Sequence, residues 1–157
     1  MDKKELGTII HSVLKPLGFK KKGLVWTLTG EEISERLWLQ KSCYGDFYYF
    51  HYDYVINAIQ EYPSQTHVFV DTEDDQESYR DLMTVLNMEN DILDESRKRK
   101  LTDYLETYIV PKTGMIKTEQ QLKEDLIRRK WAPITFKTIE YLHLPEHFNS
   151  KEDMIKG

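Results

Sequence analysis

The feature that most constrains the fold is an aromatic and β-branched stretch at residues 37–56, with the sequence LWLQKSCYGDFYYFHYDYVI. Aromatic and β-branched side chains at this density suit a pleated strand. In its middle, Tyr44-Gly45-Asp46 supplies the small, conformationally permissive residues that a tight turn requires. The stretch therefore predicts two antiparallel strands joined as a β-hairpin.

The second strand of this hairpin has two different faces, because alternate side chains of a strand point in opposite directions. The first face is the predicted core side and carries Tyr48, Phe50, Tyr52, Tyr54 and Ile56. The second face is more polar and carries Phe47, Tyr49, His51, Asp53, Val55 and Asn57. Tyrosines that point outward offer rigid contact area of the kind enriched at protein interfaces. Core and interface roles both stay open for the tyrosines of this strand.

Helices and further strands are predicted before and after the hairpin. Asp2 and Glu5 predict the capped start of a helix whose apolar face is Leu6, Ile9, Ile10, Val13, Leu14 and Leu17. Strands are predicted at 24–29 and 33–42, and a further one at 66–70. Helical spacing then returns, with Asp71 or Thr72 as the expected cap of the next helix. Its apolar side is predicted to be Tyr79, Leu82, Met83 and Leu86.

The last part of the sequence is predicted to be helical as well. One helix carries Leu101, Tyr104, Leu105, Tyr108 and Ile109, a second starts at a Thr118–Gln121 capping box, and Pro133 opens a third. The predicted fold class is α+β, with an N-terminal helix, an antiparallel meander of three to four strands and then three to four helices. Residues 1–144 are expected to form one domain, and residues 145–157 a polar C-terminal tail.

Composition narrows the classes of function. The formal net charge of −5 disfavours a general binder of nucleic acid, which needs a basic face. The single cysteine, Cys43, leaves no disulfide framework and is typical of a reducing cytoplasm. No apolar run suggests a signal peptide or a membrane span. We expect a cytoplasmic protein with no cofactor.

An acidic segment is the most distinctive surface feature, and its members are Asp71, Glu73, Asp74, Asp75 and Glu77. Clustered carboxylates can imitate nucleic-acid phosphates and enter the basic cleft of a nuclease toxin. The simpler interpretation is helix capping, because acids in a first turn complement the helix dipole. The segment lacks the spaced oxygen ligands and glycine of a calcium loop, so no metal site is predicted.

Basic runs and isolated reactive side chains have simple interpretations too. Lys20-Lys21-Lys22 near Trp26 is a candidate phosphate site, yet lysines also protect an exposed strand edge. Arg97-Lys98-Arg99-Lys100 is best explained as a salt-bridged helix face. Cys43 near His51 is a weak nucleophile candidate, and His143 and His147 lack a third metal ligand. No catalytic residue is assigned.

A linked set of motifs carries a family resemblance. Leu17-Gly18-Phe19-Lys20-Lys21-Lys22-Gly23, then Trp26, then Gln40-Lys41-Ser42 with Tyr44-Gly45 and the aromatic strand, resembles a family of small bacterial proteins known only as a domain of unknown function. The resemblance covers the first third to half of the chain. It implies a cytosolic α+β protein without assigned catalytic residues, and in some members an immunity protein that neutralises a toxin.

Two functions follow as hypotheses. The first is a non-catalytic immunity protein that occludes a cognate toxin protein through the acidic segment or the polar hairpin face, Tyr49, His51 and Asp53 included. The second is a small-ligand-binding domain or an enzyme with a pocket beside the aromatic hairpin. Neither hypothesis involves nucleic acid or a membrane.

Overall fold

The computed structural model describes residues 1–59, 68–129, 132, 134–145 and 148. A five-stranded antiparallel meander forms the sheet, in the order β1-β2-β3-β4-β5. The strands are β1 Lys20–Lys22, β2 Val25–Leu28, β3 Ile33–Lys41, β4 Tyr48–Ile56 and β5 Val68–Phe69. The α-helices are α1 Lys3–Leu14, α2 Gln76–Leu86, α3 Asp94–Tyr104, α4 Glu119–Arg129 and α5 Phe136–Tyr141. The predicted α+β class, with one helix before the sheet and several after it, is confirmed.

Helix α1 begins at the predicted capping box. The Glu5 backbone N–H donates to Asp2 Oδ1 over 2.8 Å, and the Asp2 N–H donates to Glu5 Oε2 over 2.7 Å. Leu6, Ile10 and Leu14 are fully buried on the apolar face of the helix. A short 3-10 turn follows and ends at a residue with φ 97°, a left-handed conformation that glycine at position 18 adopts without strain.

The aromatic hairpin is confirmed, with β3 and β4 as its strands. Near the turn, the Ser42 N–H donates to the Phe47 carbonyl over 2.9 Å, and Ser42 Oγ accepts the Tyr44 N–H over 3.0 Å. Most of the expected core face is buried, namely Tyr48, Tyr52, Tyr54 and Ile56. Phe50 is half-buried, and Asp53, expected on the polar face, is 0% exposed.

Strand β1 is a short edge strand made only of lysines, and it was not predicted as a strand separate from the connection before β2. It pairs with β2 so that Lys21 lies opposite Trp26. All three lysines are exposed, which confirms the interpretation of this run as a solvated strand edge.

The predicted start of the helix after the sheet is wrong. Helix α2 begins at Gln76, and its N-cap is Asp75, whose Oδ1 accepts the Ser78 N–H over 2.7 Å. Residues 71–75 are instead non-helical, with Glu73 in the left-handed region at φ 56°. The Glu73 N–H donates to Asp71 Oδ1 over 3.1 Å, and this hydrogen bond stabilises the local turn.

Arg97 departs from the predicted salt-bridged helix face, because it is buried at 3% exposure. Its guanidinium donates to three backbone carbonyls, those of Val85, Asn87 and Asn90. These carbonyls lie at and just beyond the C-terminal end of α2, where a helix leaves carbonyls unsatisfied. Arg97 therefore caps α2 from α3, while the remaining basic run, residues 98–100, is exposed.

After Tyr104 the helix widens into a π-helical turn, Leu105–Ile109, and then tightens into a 3-10 turn, Val110–Lys112. Leu101, Leu105 and Ile109 are fully buried, so the predicted apolar spacing is confirmed across this change of helix type. A π-helical turn accommodates one more residue than an α-helical turn, and such turns are frequent at functional sites.

The described residues form two compact units. The first consists of Met1–Leu28, Arg36–Tyr52 and Asp71–Thr113, and the second of the described residues within Thr29–Glu35, Asp53–Val70 and Gly114–Gly157. In the second unit, β4 and β5 pair with Asp53 opposite Phe69. Arg129 Nη1 donates to the Phe69 carbonyl over 2.8 Å, which fastens α4 to the strand.

The remaining predictions for the C-terminal part have mixed outcomes. The Thr118–Gln121 capping box is confirmed, since Gln121 N–H donates to Thr118 Oγ1 over 3.1 Å and Thr118 N–H to Gln121 Oε1 over 3.2 Å. Helix α5 exists, with Thr135 as its N-cap. Pro133, His147, residues 60–67 and most of the predicted tail lie outside the described residues, and Phe148 within that tail is buried.

Within the described ranges, no helix combines the length and the apolar character that crossing a bilayer requires.

Candidate functional site

The candidate site is a pocket of about 240 Å³ in the first unit, between α2 and the end of α3 with its π-helical turn. Helix α2 contributes Ser78, Asp81 and Leu82. The other wall consists of Lys100, Asp103, Tyr104, Thr107 and Tyr108. Hydroxyls and charged groups make up most of this lining, so the pocket is suited to a polar or charged ligand.

Helical spacing brings these side chains together. Residues three and four apart share one side of a helix, as Ser78, Asp81 and Leu82 do. Residues 100, 103, 104, 107 and 108 repeat the same spacing along the other wall. Leu82 is buried, whereas Asp81 and Asp103 are exposed.

The acidic segment is fastened to the wall of the pocket by two tyrosines. The Tyr104 hydroxyl donates to Asp74 Oδ2 over 2.7 Å. The Tyr108 hydroxyl lies 3.4 Å from Asp75 Oδ2, to which it donates, and 2.8 Å from Ser78 Oγ. The two tyrosine rings pack together with centroids 5.0 Å apart. The cap of α2 and the pocket wall are therefore one hydrogen-bonded assembly.

The protonation states in this assembly are well defined. Burial, followed by the hydrogen bond to Asp74, raises the pKa of Tyr104 far above its usual range. Tyr104 therefore stays a hydroxyl donor throughout the physiological pH range. The pKa of Asp75 is lowered, chiefly by the hydrogen bonds from Ser78, so its carboxylate stays charged.

The charge around the pocket is predominantly negative. Asp81 and Asp103 line it, and the carboxylates of Asp74 and Asp75 are bonded to its tyrosines. Lys100 is the single basic residue among the lining residues that the structure describes. Opposite charges attract, so the excess of carboxylates favours a cationic group over an anionic one.

The residues predicted as a binding surface occupy different places. Asp74 and Asp75 lie beside the pocket, and the Glu73 carboxylate pairs with Lys112 Nζ over 2.9 Å. Asp71 stabilises the local turn, and Glu77 is exposed in the first turn of α2. Tyr49, at 40% exposure, and the half-buried His51 lie on β4. Asp53 is buried in the second unit and contributes no surface.

Four lining residues were not predicted as site residues from the sequence: Ser78, Asp81, Asp103 and Thr107. Tyr104 and Tyr108 were predicted on an apolar helix face, where their rings do pack. Their hydroxyls were the available signal, because a buried tyrosine hydroxyl needs a polar partner. An i, i+4 tyrosine pair downstream of an acidic segment would have pointed to a contact between them.

The reactive side chains considered earlier are not grouped around the pocket. Cys43 is exposed near the hairpin turn. The His51 ring stacks on Trp38 with centroids 4.0 Å apart, and its Nε2 lies 3.0 Å from Gln40 Oε1. Over the described ranges, no three histidine, cysteine or acidic side chains are arranged to hold a metal ion.

Together, the fold and the pocket define a small α+β protein with an acidic pocket walled by two tyrosines. The chain belongs to the family described as "Domain of unknown function (DUF4304)", whose sequence profile matches residues 10–115. The match extends beyond the first half of the chain, to which the sequence resemblance was limited, and it includes every lining residue of the pocket. No curated protein and no solved structure matches the chain.

Proposed function

We propose that this protein is a non-catalytic, cytoplasmic immunity protein of bacteria, which neutralises a cognate toxin by binding and occluding it. The observation that carries the proposal is the acidic pocket, with Asp81 and Asp103 in its lining and Asp74 and Asp75 bonded to its tyrosines. A toxin that acts on nucleic acid needs a basic surface to hold phosphates. The acidic pocket is complementary in charge to such a basic surface.

The dimensions of the pocket favour one protruding side chain as its occupant. A volume of about 240 Å³ lies below the roughly 300–1,000 Å³ of most small-molecule sites. A lysine or arginine side chain of the toxin can enter it, with its charged end toward Asp81 and Asp103 and its aliphatic stem along Leu82 and the tyrosine rings. This fit supports a protein partner over the alternative of a small-ligand-binding domain or an enzyme.

Occlusion needs no chemical step by the immunity protein. Acidic groups around the pocket accelerate encounter with a basic surface, and close packing then slows dissociation. Hydrogen bonds from Tyr104 and Tyr108 hold the acidic segment in place before binding, so little ordering of this loop is needed.

The decisive experiment is co-expression with a candidate nuclease-toxin domain, sought first among genes adjacent to the one for this protein, with cell survival and complex formation in gel filtration as readouts. We expect the double substitution Asp81→Asn and Asp103→Asn to slow association roughly tenfold or more at low salt. These residues are better targets than Asp74 and Asp75, whose carboxylates hold the tyrosine wall.

Asp91→Asn with Glu95→Gln is the matched control, because it removes two exposed carboxylates that do not line the pocket. Its association rate should stay close to that of the parent protein. A toxin that still kills during co-expression, with no complex eluting, refutes the immunity proposal. Equal association rates for both double variants refute the role of the pocket.

A further inference from the structure

Three lining residues of the acidic pocket have no bonding partner among the residues that the structure describes: Asp81, Asp103 and Thr107. Neither carboxylate forms an ion pair there, and the Thr107 hydroxyl forms no hydrogen bond. All three residues are exposed. Each carboxylate has two acceptor oxygens and the hydroxyl has one, so five acceptors are available to a ligand.

The two unpartnered carboxylates come from opposite walls of the pocket. At one level, Ser78 Oγ of α2 lies 2.8 Å from the Tyr108 hydroxyl of the other wall. At a second level, the guanidinium of Arg97 on α3 donates to the Val85 carbonyl of α2. Helix α2 and the other wall therefore run antiparallel, and the two aspartates lie between these levels, one on each wall. A single ligand group that enters between the walls can meet both carboxylates.

The lysine of the pocket leaves these carboxylates unpaired. Lys100 lies three residues before Asp103, a spacing at which ion pairs form on a helix. It nevertheless forms no ion pair with any carboxylate of the described residues. Three residues of α-helix correspond to a rise of about 4.5 Å, so Lys100 stands toward the end of the pocket away from Tyr108. A second cation is therefore best placed at the level of the two aspartates.

A guanidinium group and an ammonium group use such a site differently. Guanidinium carries five N–H donors in one plane, so it can donate to carboxylates on two walls and to a nearby hydroxyl together. Ammonium carries three donors on one nitrogen and is more strongly hydrated, so it loses more when water is displaced. The half-buried Tyr108 ring in the wall also offers a face on which a planar guanidinium can stack.

We infer that the pocket selects arginine over lysine, and that the toxin residue that enters it is an arginine. The toxin as partner rests on the proposed immunity function, whereas the selectivity is a property of the pocket alone. The guanidinium lies between Asp81 and Asp103 and donates to Thr107. Arginine also binds phosphates through paired hydrogen bonds, so its capture blocks a contact that a toxin acting on nucleic acid uses.

NMR titrations of the full, isotope-labelled chain with two probes test this inference. The probes are N-acetyl-arginine methylamide and N-acetyl-lysine methylamide, which differ only in the basic side chain. We expect the arginine probe to shift the amide signals of Asp81, Asp103 and Thr107, and to bind at least about fivefold more tightly than the lysine probe. Its affinity should fall as salt is added.

Two variants locate the source of the preference. Asp81→Asn with Asp103→Asn should weaken binding of the arginine probe about tenfold or more and remove most of the preference. Thr107→Val keeps the shape of the side chain and removes one acceptor, so it should weaken the arginine probe more than the lysine probe. It changes a single exposed position, so it preserves the test if the double variant fails to fold.

Asp91→Asn with Glu95→Gln is again the matched control and should keep both the affinity and the preference. Equal affinities for the two probes, binding of neither probe, or signal shifts centred outside the pocket each overturn the inference. An unchanged preference in the aspartate double variant overturns it as well. A toxin neutralised in co-expression while both probes bind equally refutes only the selectivity, and a toxin that still kills despite arginine-selective binding refutes only the immunity function.

Discussion

Replacing Arg97 by methionine tests the role of the buried guanidinium. Methionine keeps an unbranched aliphatic side chain in the same space and removes all donors to the carbonyls of Val85, Asn87 and Asn90. The loss should lower the free energy of unfolding, because carbonyls at the end of α2 then lack a cationic cap.

The magnitude follows from the three carbonyls. Val85 is buried, so its unsatisfied carbonyl costs about 1–3 kcal/mol. Asn87 and Asn90 are only half-buried, and water can replace the lost donor there, at about 0.5–1 kcal/mol each. Methionine also removes the cost of burying a charged guanidinium, which offsets part of this loss. We expect a net destabilisation of about 2–4 kcal/mol, a large share of the roughly 5–15 kcal/mol typical of a domain.

Urea unfolding followed by circular dichroism measures this difference. The midpoint for Arg97→Met should fall with little change in slope, and Arg97→Lys should lie between it and the parent, since one ammonium cannot reach three carbonyls in a fixed fork. Arg99→Met on the same helix is the control and should stay within about 0.5 kcal/mol, because Arg99 is exposed. An Arg97→Met protein as stable as the parent would refute the capping argument.

Three further predictions concern caps and the pocket wall. Asp75→Asn keeps a capping side chain but removes its charge. Folding lowers the pKa of Asp75, so the charged carboxylate stabilises the parent fully above the ordinary aspartate pKa of about 3.9. This extra stability is lost as the pH falls through the lowered pKa of the folded protein. Acid titration of the unfolding free energy of both proteins measures the difference. Thr118→Ala should cost about 1 kcal/mol and lower the melting temperature by a few degrees in calorimetry. Tyr104→Phe should cost about 1 kcal/mol in urea unfolding and increase amide exchange around Asp74; unchanged exchange there would show that the hydroxyl does not fix the segment.

Local patterns predicted the hairpin and the first helix well. The alternation from Tyr48 to Ile56 and the reciprocal Asp2–Glu5 cap each depend on residues that are close in sequence. In both elements the local signals agree with the final fold, so no distant contact was needed to predict them. The start of α2 was different, because Asp71, Thr72 and Asp75 all satisfy the rule for an N-cap residue.

Contacts with residues distant in sequence determine where α2 starts. Tyr104 and Tyr108, about thirty residues further on, bond to Asp74 and Asp75, and the helix starts only at Gln76. The burial of Arg97 has the same origin, since the carbonyls that it caps lie at the end of another helix and in the residues just after it. A period of 3.6 residues places Arg97 on a helix face, but it does not reveal what that face meets.

The π-helical turn at Leu105–Ile109 makes the pocket depend on the number of residues in the chain as well as on their chemistry. A π-helical turn is the way in which a helix takes in one extra residue, so loss of one codon here would let the backbone relax to ordinary α-helical winding, with the side chains beyond Ile109 close to their present directions. The change would fall on the turn itself, which carries Thr107 and Tyr108 of the pocket wall. Within the family, an alignment gap at this position would thus mark members whose pocket wall is built differently.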